Sequence, residues 1–294
     1  GVGRGAGGGV EEDEVAGAQH EHELRAAEAE AGGDHEGEAE AAEVATDLDP
    51  DAAATRLAPL VAGQPLDLNL LPAEHRRKRL LLCDMDSTVI TIECIDELAD
   101  LAGIKPQIAA VTRRAMNGEL DFAAALRERV ALLAGLPATA IAAVIRDRLV
   151  LMPGARTLIA TMRGHGARTA LVSGGFTAFT RHVQQLCGFD VEEANELEIE
   201  DGRLTGVLAG ELRGASAKLE ALGRLRAELG LLPAQTMAAG DGANDLPMLQ
   251  AAGLGVAFRA HPRVRAAAAA RIDHGDLTAL LFLQGYARSE FVGG

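Results

Sequence analysis

Residues 80–88 read Leu80-Leu81-Leu82-Cys83-Asp84-Met85-Asp86-Ser87-Thr88. An apolar run stops abruptly at two acids spaced i, i+2, followed by two hydroxyl side chains. A short apolar run bounded by charge predicts a strand buried on both faces, as in a parallel sheet. Ligands of such sheets bind just beyond the carboxyl ends of the strands, which is where Asp84 and Asp86 fall. Two carboxylates there suit two tasks: holding a hard cation such as Mg²⁺, or attacking an electrophile. A strand end whose acids merely cap the next helix would look the same in this stretch alone.

Two further strand ends share this character. Gly240-Asp241-Gly242-Ala243-Asn244-Asp245 follows the apolar stretch 236–239 and precedes a helical pattern over 246–252. Glycine there permits close backbone approach and unusual dihedrals. Ser173-Gly174-Gly175-Phe176 follows a strand pattern over 169–172. A serine and two glycines at a strand-to-helix turn offer a hydroxyl and backbone N–H groups to an anion. Lys218 lies between these two segments, early in a helical pattern over 215–229.

These four stretches, in this order, resemble the haloacid dehalogenase superfamily of phosphotransferases. The resemblance covers about residues 76–288. Within the superfamily the chain is similar to the phosphoserine phosphatases, through Glu93 nine residues after Asp84 and through Met116, Phe122 and Arg129 between the first two motifs. It implies Asp84 as nucleophile, Asp86 as general acid and base, and Ser173, Gly174 and Gly175 at the phosphoryl oxygens. Lys218 would neutralise charge and Asn244 position the phosphate. Asp84, Asp241 and the backbone carbonyl of Asp86 would hold Mg²⁺, with Asp245 behind them. Glu93 and Arg129 would meet the ammonium and carboxylate of the substrate. The implied reaction is hydrolysis of O-phosphoserine through an aspartyl-phosphate, the last step of serine biosynthesis. Transfer to another amino-acid hydroxyl, hydrolysis of another small phosphate ester, and a non-catalytic binding role are the alternatives. The last would require loss of the nucleophile or the acid, and both are present.

Charge explains the need for a cation and a lysine. A phosphate ester and a carboxylate nucleophile are both anionic, and at ~4 Å and an effective dielectric of ~20 each charge pair costs about 4 kcal/mol.

Composition agrees with one aliphatic core. The chain has 294 residues, 48% of them hydrophobic, with no Trp, one Tyr and seven Phe. Cys83, Cys94 and Cys187 lack metal-ligand spacing and are expected as small buried residues in a reducing compartment. No apolar run is long enough to span a membrane and no apolar leader opens the sequence, so a cytoplasmic protein is expected. The net charge is −15, of which residues 1–50 supply −13 through 15 acids and two arginines. An acidic chain is a poor partner for nucleic acid. The partner expected is a small molecule, with monomer and homodimer both open.

Domain limits follow from the same patterns. Residues 1–45 are rich in Gly, Ala and Glu and are expected to be disordered. Residues 46–75 are too short for the amino-acid-binding module that precedes many bacterial relatives and read as a lead-in or as a remnant of that module. They have helical spacing over 51–62 and strand-like alternation over 66–71, and the basic run 75–79 reads as a solvated approach to the first strand. Residues 76–92 and 151–288 form the core, an α/β, doubly wound parallel sheet. Residues 93–150, with apolar positions at helical spacing and breaks at Gly103, Gly118 and Gly135, form an inserted helical cap. Beyond it the patterns predict helix 154–164, strand 167–172, helix 177–186, a hairpin about Asp201-Gly202, helix 215–229, strands 236–239 and 254–258, and helices 246–252 and 275–285.

Overall fold

The computed structural model of the chain describes residues 25–26 and 41–293. Most of the acidic tail expected over 1–45 therefore lies outside the described residues. Of that stretch, β1 (Arg25–Ala26) pairs antiparallel with β2 (Val44–Ala45). Helix α1 (Pro50–Val61) follows, its first turn held by the Asp49 carboxylate, which accepts the N–H of Asp51 and Ala52.

The main sheet contains β3 (Leu80–Cys83), β4 (Arg168–Phe176), β5 (Val191–Glu200), β6 (Arg203–Ala209), β7 (Thr236–Gly240), β8 (Leu254–Phe258) and β9 (Ala270–Ile272). Their spatial order is β6-β5-β4-β3-β7-β8-β9. Every pairing is parallel except β5 with β6. Strand β3 lies at the centre, and all four of its residues are buried. Leu80 and Leu82 face one layer with Leu222, Leu225 and Met248, while Leu81 and Cys83 face the other with Leu158 and Phe179. Full burial of each leucine is worth about 1.5–3 kcal/mol, so this strand anchors both layers.

The chain leaves β3, winds to one side through β4 and β5, then crosses back to β7 on the other side. That reversal puts a crevice at the carboxyl ends of β3 and β7, where ligands bind in doubly wound sheets. Helices α6 (Ala155–Gly164), α7 (Thr177–Cys187), α8 (Ala215–Glu228), α9 (Leu246–Ala251), α10 (Pro262–Ala267) and α11 (Ala279–Phe282) cover the two faces.

The insertion after β3 is helical, with α2 (Cys94–Leu101), α3 (Lys105–Met116), α4 (Phe122–Ala131) and α5 (Thr139–Asp147). Gly103, Gly118 and Gly135 turn the chain between them with φ of 69°, 78° and 81°, a region open to glycine at no steric cost. An antiparallel bridge between Ile90 and Leu151 closes the base of the insertion.

Several sequence expectations need correction. Residues 66–71 form no strand. Their alternation instead aims Asp67 and Asn69 at the edge of the sheet. The Asn69 amide exchanges hydrogen bonds with the Arg271 backbone at 2.8 and 3.0 Å, and the Asp67 carboxylate accepts the N–H groups of Asp273, His274 and Gly275. Polar side chains thus do the pairing that backbone groups would do in a strand. The basic run 75–79 is not simply solvated. Arg77 stacks on Tyr286 and pairs with Glu290, and Lys78 is buried with Nζ donating to the Ala234 carbonyl at 2.8 Å. The helix expected over 275–285 shrinks to Ala279–Phe282. Strand β9 and helix α10 carry too few periodic residues to stand out in the sequence. The Asp201-Gly202 turn is as expected: both residues have positive φ, 48° and 72°, which suits a tight two-residue hairpin. Cys83, Cys94 and Cys187 are free and buried.

Candidate active site

Strand β3 ends at Cys83, whose neighbours in register are Leu171 on β4 and Ala239 on β7. Asp84 comes one residue later on its strand, and Ser173 and Asp241 two residues later on theirs, so the three reach the same end of the sheet from positions up to 157 residues apart. The Asp84 N–H continues the ladder to the Ala239 carbonyl at 3.0 Å, so the backbone of this carboxylate is fixed by the sheet.

Lys218 projects from α8 and is 1% exposed. Its ammonium lies 2.7 Å from Asp84 Oδ2 and 2.6 Å from Asp245 Oδ1. Burial alone would lower the lysine, but the two carboxylates outweigh it and hold the ammonium above its ordinary value. Asp84 is raised well above the usual carboxylate range, by burial first and by Asp245 second, with Lys218 pulling the other way. The other Asp245 oxygen accepts the N–H groups of Asp241 and Gly242 at 3.1 and 2.9 Å. Both of its oxygens are therefore committed. Gly240 is required here, because a Cβ would come within 2.5 Å of the Asp245 side chain.

Asp84, Asp241 and Asp245 bring one oxygen each within 4.8 Å of one another. Burial, then Asp245, pushes Asp241 up to about 6. Thr88 donates to Asp241 Oδ1 at 3.1 Å. An all-oxygen set of crowded carboxylates, with one lysine among them, fits a hard divalent cation, which would relieve their repulsion.

Asp86 points the other way, toward the insertion. It accepts the Cys94 N–H at 3.2 Å, the first amide of α2, so it does cap a helix. Burial, then Glu93, pushes it up to about 7. Ser87, which follows the two acids, has φ of 56°, and its hydroxyl donates to Glu93 Oε1 at 2.6 Å. Glu93 keeps exposed surface at the mouth of the crevice, yet desolvation of its carboxyl raises it, with Asp96 adding to the rise and the Ser87 hydrogen bond and Arg129 opposing it.

Ser173 is buried, and its Oγ accepts the Gly175 N–H at 2.8 Å. A hydroxyl that accepts this bond keeps its proton free to donate to an anion. Gly174 and Gly175 leave no space for side chains: a Cβ at Gly174 would lie 2.9 Å from Phe122, and one at Gly175 would lie 2.9 Å from Asp86 Oδ2. Phe122 therefore brings the insertion down onto the loop that holds Ser173.

Phe122 and Arg129 are seven residues apart on α4, hence on one face of the helix. Arg129 is half-buried and lies among Asp96, Glu93 and Asp86; burial lowers it and those acids raise it. Its Nε is the one buried side-chain polar atom without a hydrogen-bond partner among the described residues. Met116 ends α3 with 73% of its surface exposed. Asn244 sits half-buried, 3.5 Å from Asp245 Oδ1.

The structure thus gathers Asp84, Asp86, Ser173, Lys218, Asp241 and Asp245 at three strand ends, with Glu93, Phe122 and Arg129 facing them from the insertion. One residue that sequence reasoning overlooked is Asn195, buried on β5 and bonded to the Gly174 carbonyl. It lies 21 positions away and carries no motif of its own.

Residues 81–250 match the family of haloacid dehalogenase-like hydrolases. The chain belongs to that family. Among haloacid dehalogenase-like hydrolases it is 48% identical over 238 residues to a phosphoserine phosphatase of Streptomyces coelicolor, covering 80% of this chain and 58% of the relative. Several curated relatives are longer, and the chain spans only 52% to 65% of their length. Two solved structures, one a substrate-bound phosphoserine phosphatase complex and one a phospho-aspartyl intermediate analogue of phosphoserine phosphatase, each superpose with a TM-score of 0.65. Both are 38% identical and cover 70% of this chain and 98% of the other. No helix among the described residues is long and apolar enough to cross a membrane.

Proposed function

We propose that this chain hydrolyses O-phosphoserine to serine and phosphate through an aspartyl-phosphate on Asp84. The observation that carries the reading is the pairing of two halves across one crevice. On the sheet side Asp84 stands beside a buried, charged Lys218. On the insertion side Arg129 carries a buried Nε without a partner, next to Glu93. The first half suits a phosphoryl group; the second suits the carboxylate and ammonium of an amino acid.

The residues divide the work as follows. An Asp84 oxygen attacks phosphorus and the bond from phosphorus to the serine oxygen breaks. Asp86 gives its proton to that departing oxygen. Asp86 then takes a proton from water, the water oxygen attacks phosphorus, and the Asp84 carboxylate is released. Ser173 donates its free hydroxyl proton to a phosphoryl oxygen, with backbone N–H groups of Gly174 and Gly175 nearby, and Lys218 offsets the charge of the dianion. Asn244 borders the same side. Asp84, Asp241 and the backbone carbonyl of Asp86 would hold Mg²⁺; Asp245 is already bound to Lys218 and two amides and orients the loop instead. When bound, Mg²⁺ supplies the charge cancellation that lets carboxylate and phosphate approach. The inserted helices act as a cap that excludes water and reads the amino acid through Glu93, Phe122, Met116 and Arg129. The reaction would sit at the end of serine biosynthesis, in the cytoplasm.

A panel of phosphate esters assayed with Mg²⁺ tests this directly. Phosphoserine should give the highest kcat/KM; a preference for an ester lacking the amino-acid end would overturn the substrate. For the cation, Mg²⁺ should raise the melting temperature of wild type, and Asp241→Asn should remove that shift. A ligand at 100 times its Kd stabilises by about 2.7 kcal/mol, well within measurement.

A further inference from the structure

Strand β4 changes register against β5 at the phosphate-side loop: Val172 faces Glu193, but Phe176 faces Asn195, so β4 uses four steps where β5 uses two. The two excess residues fall within Ser173-Gly174-Gly175, three positions that stand against the single Ala194. Asn195 fills the gap that this bulge opens. It is 2% exposed, and its amide Nδ2 donates to the Gly174 carbonyl at 2.9 Å and to the Arg213 carbonyl at 3.1 Å. Its Oδ1 accepts the Arg213 N–H at 2.7 Å. Three hydrogen bonds thus join β5 to the loop of Ser173 and to the segment that launches α8, the helix of Lys218.

Two consequences follow from chemistry alone. The Gly174–Gly175 peptide is pinned at both ends, its N–H by Ser173 Oγ and its carbonyl by Asn195. A pinned peptide plane keeps the Ser173 hydroxyl and the neighbouring N–H groups aimed without reorganisation during reaction. Arg213 precedes Gly214, and a Cβ on Gly214 would lie 3.3 Å from Phe122, which also rests within 2.9 Å of the corresponding position on Gly174. Of the two glycines that receive Phe122, Asn195 therefore bonds Gly174 itself and Arg213, the residue just before Gly214.

We infer that Asn195 is a positioning residue: it splints the Ser173 loop to the start of the Lys218 helix and thereby builds the two-glycine seat on which Phe122 of the cap docks. It touches no reacting atom; it acts through Gly174 and through Arg213, which sets Gly214. The inference rests on the phosphatase reading above, deepened to say how the insertion and the phosphate side are held in step.

The test is a double-mutant cycle between Asn195→Ala and Phe122→Ala, read with phosphoserine and with an aryl phosphate that has no amino-acid end. Misplacement by about 1 Å costs on the order of 100-fold, so Asn195→Ala should lower kcat/KM by about 100-fold on phosphoserine and about 10-fold on the aryl ester. The excess on phosphoserine should vanish in the Phe122→Ala background, because the seat then has no occupant. A merely structural asparagine would lower the melting temperature while leaving both esters' kcat/KM per folded molecule unchanged, or its effect would multiply with that of Phe122→Ala; either outcome overturns the inference. Should Asn195→Ala not fold, Gly214→Ala replaces it. Gly214 has φ of −103°, open to alanine, and its methyl would press on Phe122 without touching the Asn195 bonds. It should raise KM for phosphoserine at least about threefold with kcat on the aryl ester near wild type; an unchanged KM overturns the seat. Wild type without activity on phosphoserine would refute the substrate, and the aryl ester would then read the Asn195 loss alone: the 10-fold loss supports the splint and no loss overturns it.

Discussion

The sheet side and the insertion side of the crevice are built on different terms. On the sheet side Asp84, Lys218 and Asp245 are all buried, each bonded to another, and the loop of Asp241 is tied down by two amide bonds to Asp245. On the insertion side Glu93 and Met116 are exposed, and Arg129 holds a buried donor without a partner. On the proposed reading, the phosphoryl group common to many esters would be met by groups fixed in advance. The amino-acid end, which distinguishes one ester from another, would be met by groups whose bonds are completed only when the ligand arrives. The contrast teaches that an unsatisfied buried donor, costly in a resting fold, marks where the missing partner belongs.

The contrast breaks most sharply at Asp84. Asp84→Asn keeps the side chain's shape and its acceptor for the Met85 N–H, at 2.7 Å, but the amide cannot attack phosphorus. Loss of turnover by about 10⁴-fold or more is expected on every ester. Steady-state activity in a verified Asp84→Asn preparation, free of wild type, would remove Asp84 as nucleophile and with it the division between the two sides.

Lys218→Met should come next. The substitution leaves Asp84 and Asp245 buried and facing each other without their shared ammonium. Breaking a buried pair from one side costs on the order of 3 kcal/mol, so both the melting temperature and turnover should fall, again for all esters alike. A variant that kept its stability and lost only activity would mean that the lysine serves the substrate and not the resting site.

Arg129→Ala should separate the esters instead of abolishing them. Removing a charged partner of the substrate carboxylate should cost about 2 kcal/mol in kcat/KM for phosphoserine, roughly 30-fold, and much less for an aryl phosphate. The melting temperature should hold or rise, since the unpartnered Nε is removed. Equal losses on both substrates would place Arg129 with the phosphate chemistry, and the two sides of the crevice would no longer differ in kind.

How much of this was legible beforehand differs in the same way. Asp84, Ser173 and Asp241 each follow an apolar run, so one local signal gives both the strand and the chemistry, and these three could be placed at strand ends from spacing. Lys218, Glu93 and Arg129 have no such signal; helical spacing alone would read Arg129 as a surface arginine, and the resemblance to phosphoserine phosphatases singled it out. Residues 66–71 misled because alternation of Leu with Asp67 and Asn69 records which side faces the sheet edge, and does not say whether backbone or side chain makes the bonds. Strand β9 was too short to show a period. Asn195 stayed hidden for a deeper reason: its role depends on a register change in β4 and on a segment 18 residues downstream, neither of which is written near it.

The smallest effect is expected where the insertion is most open. Met116 closes α3 with its thioether side chain 73% exposed, and nothing in the resting fold accounts for a large apolar side chain there. An exposed side chain contributes little to stability, so Met116→Ala should leave the melting temperature unchanged. If the insertion closes on substrate, the same side chain becomes partly buried against it. Burial of a few methylene-sized groups is worth about 0.8 kcal/mol each, so truncation should raise KM for phosphoserine by about threefold to tenfold while kcat stays near wild type. The aryl ester, which gives the insertion less to close on, should show no change. A KM that does not move for phosphoserine would leave Met116 outside the substrate's reach, and the reading of the amino-acid end would contract to Glu93, Phe122 and Arg129.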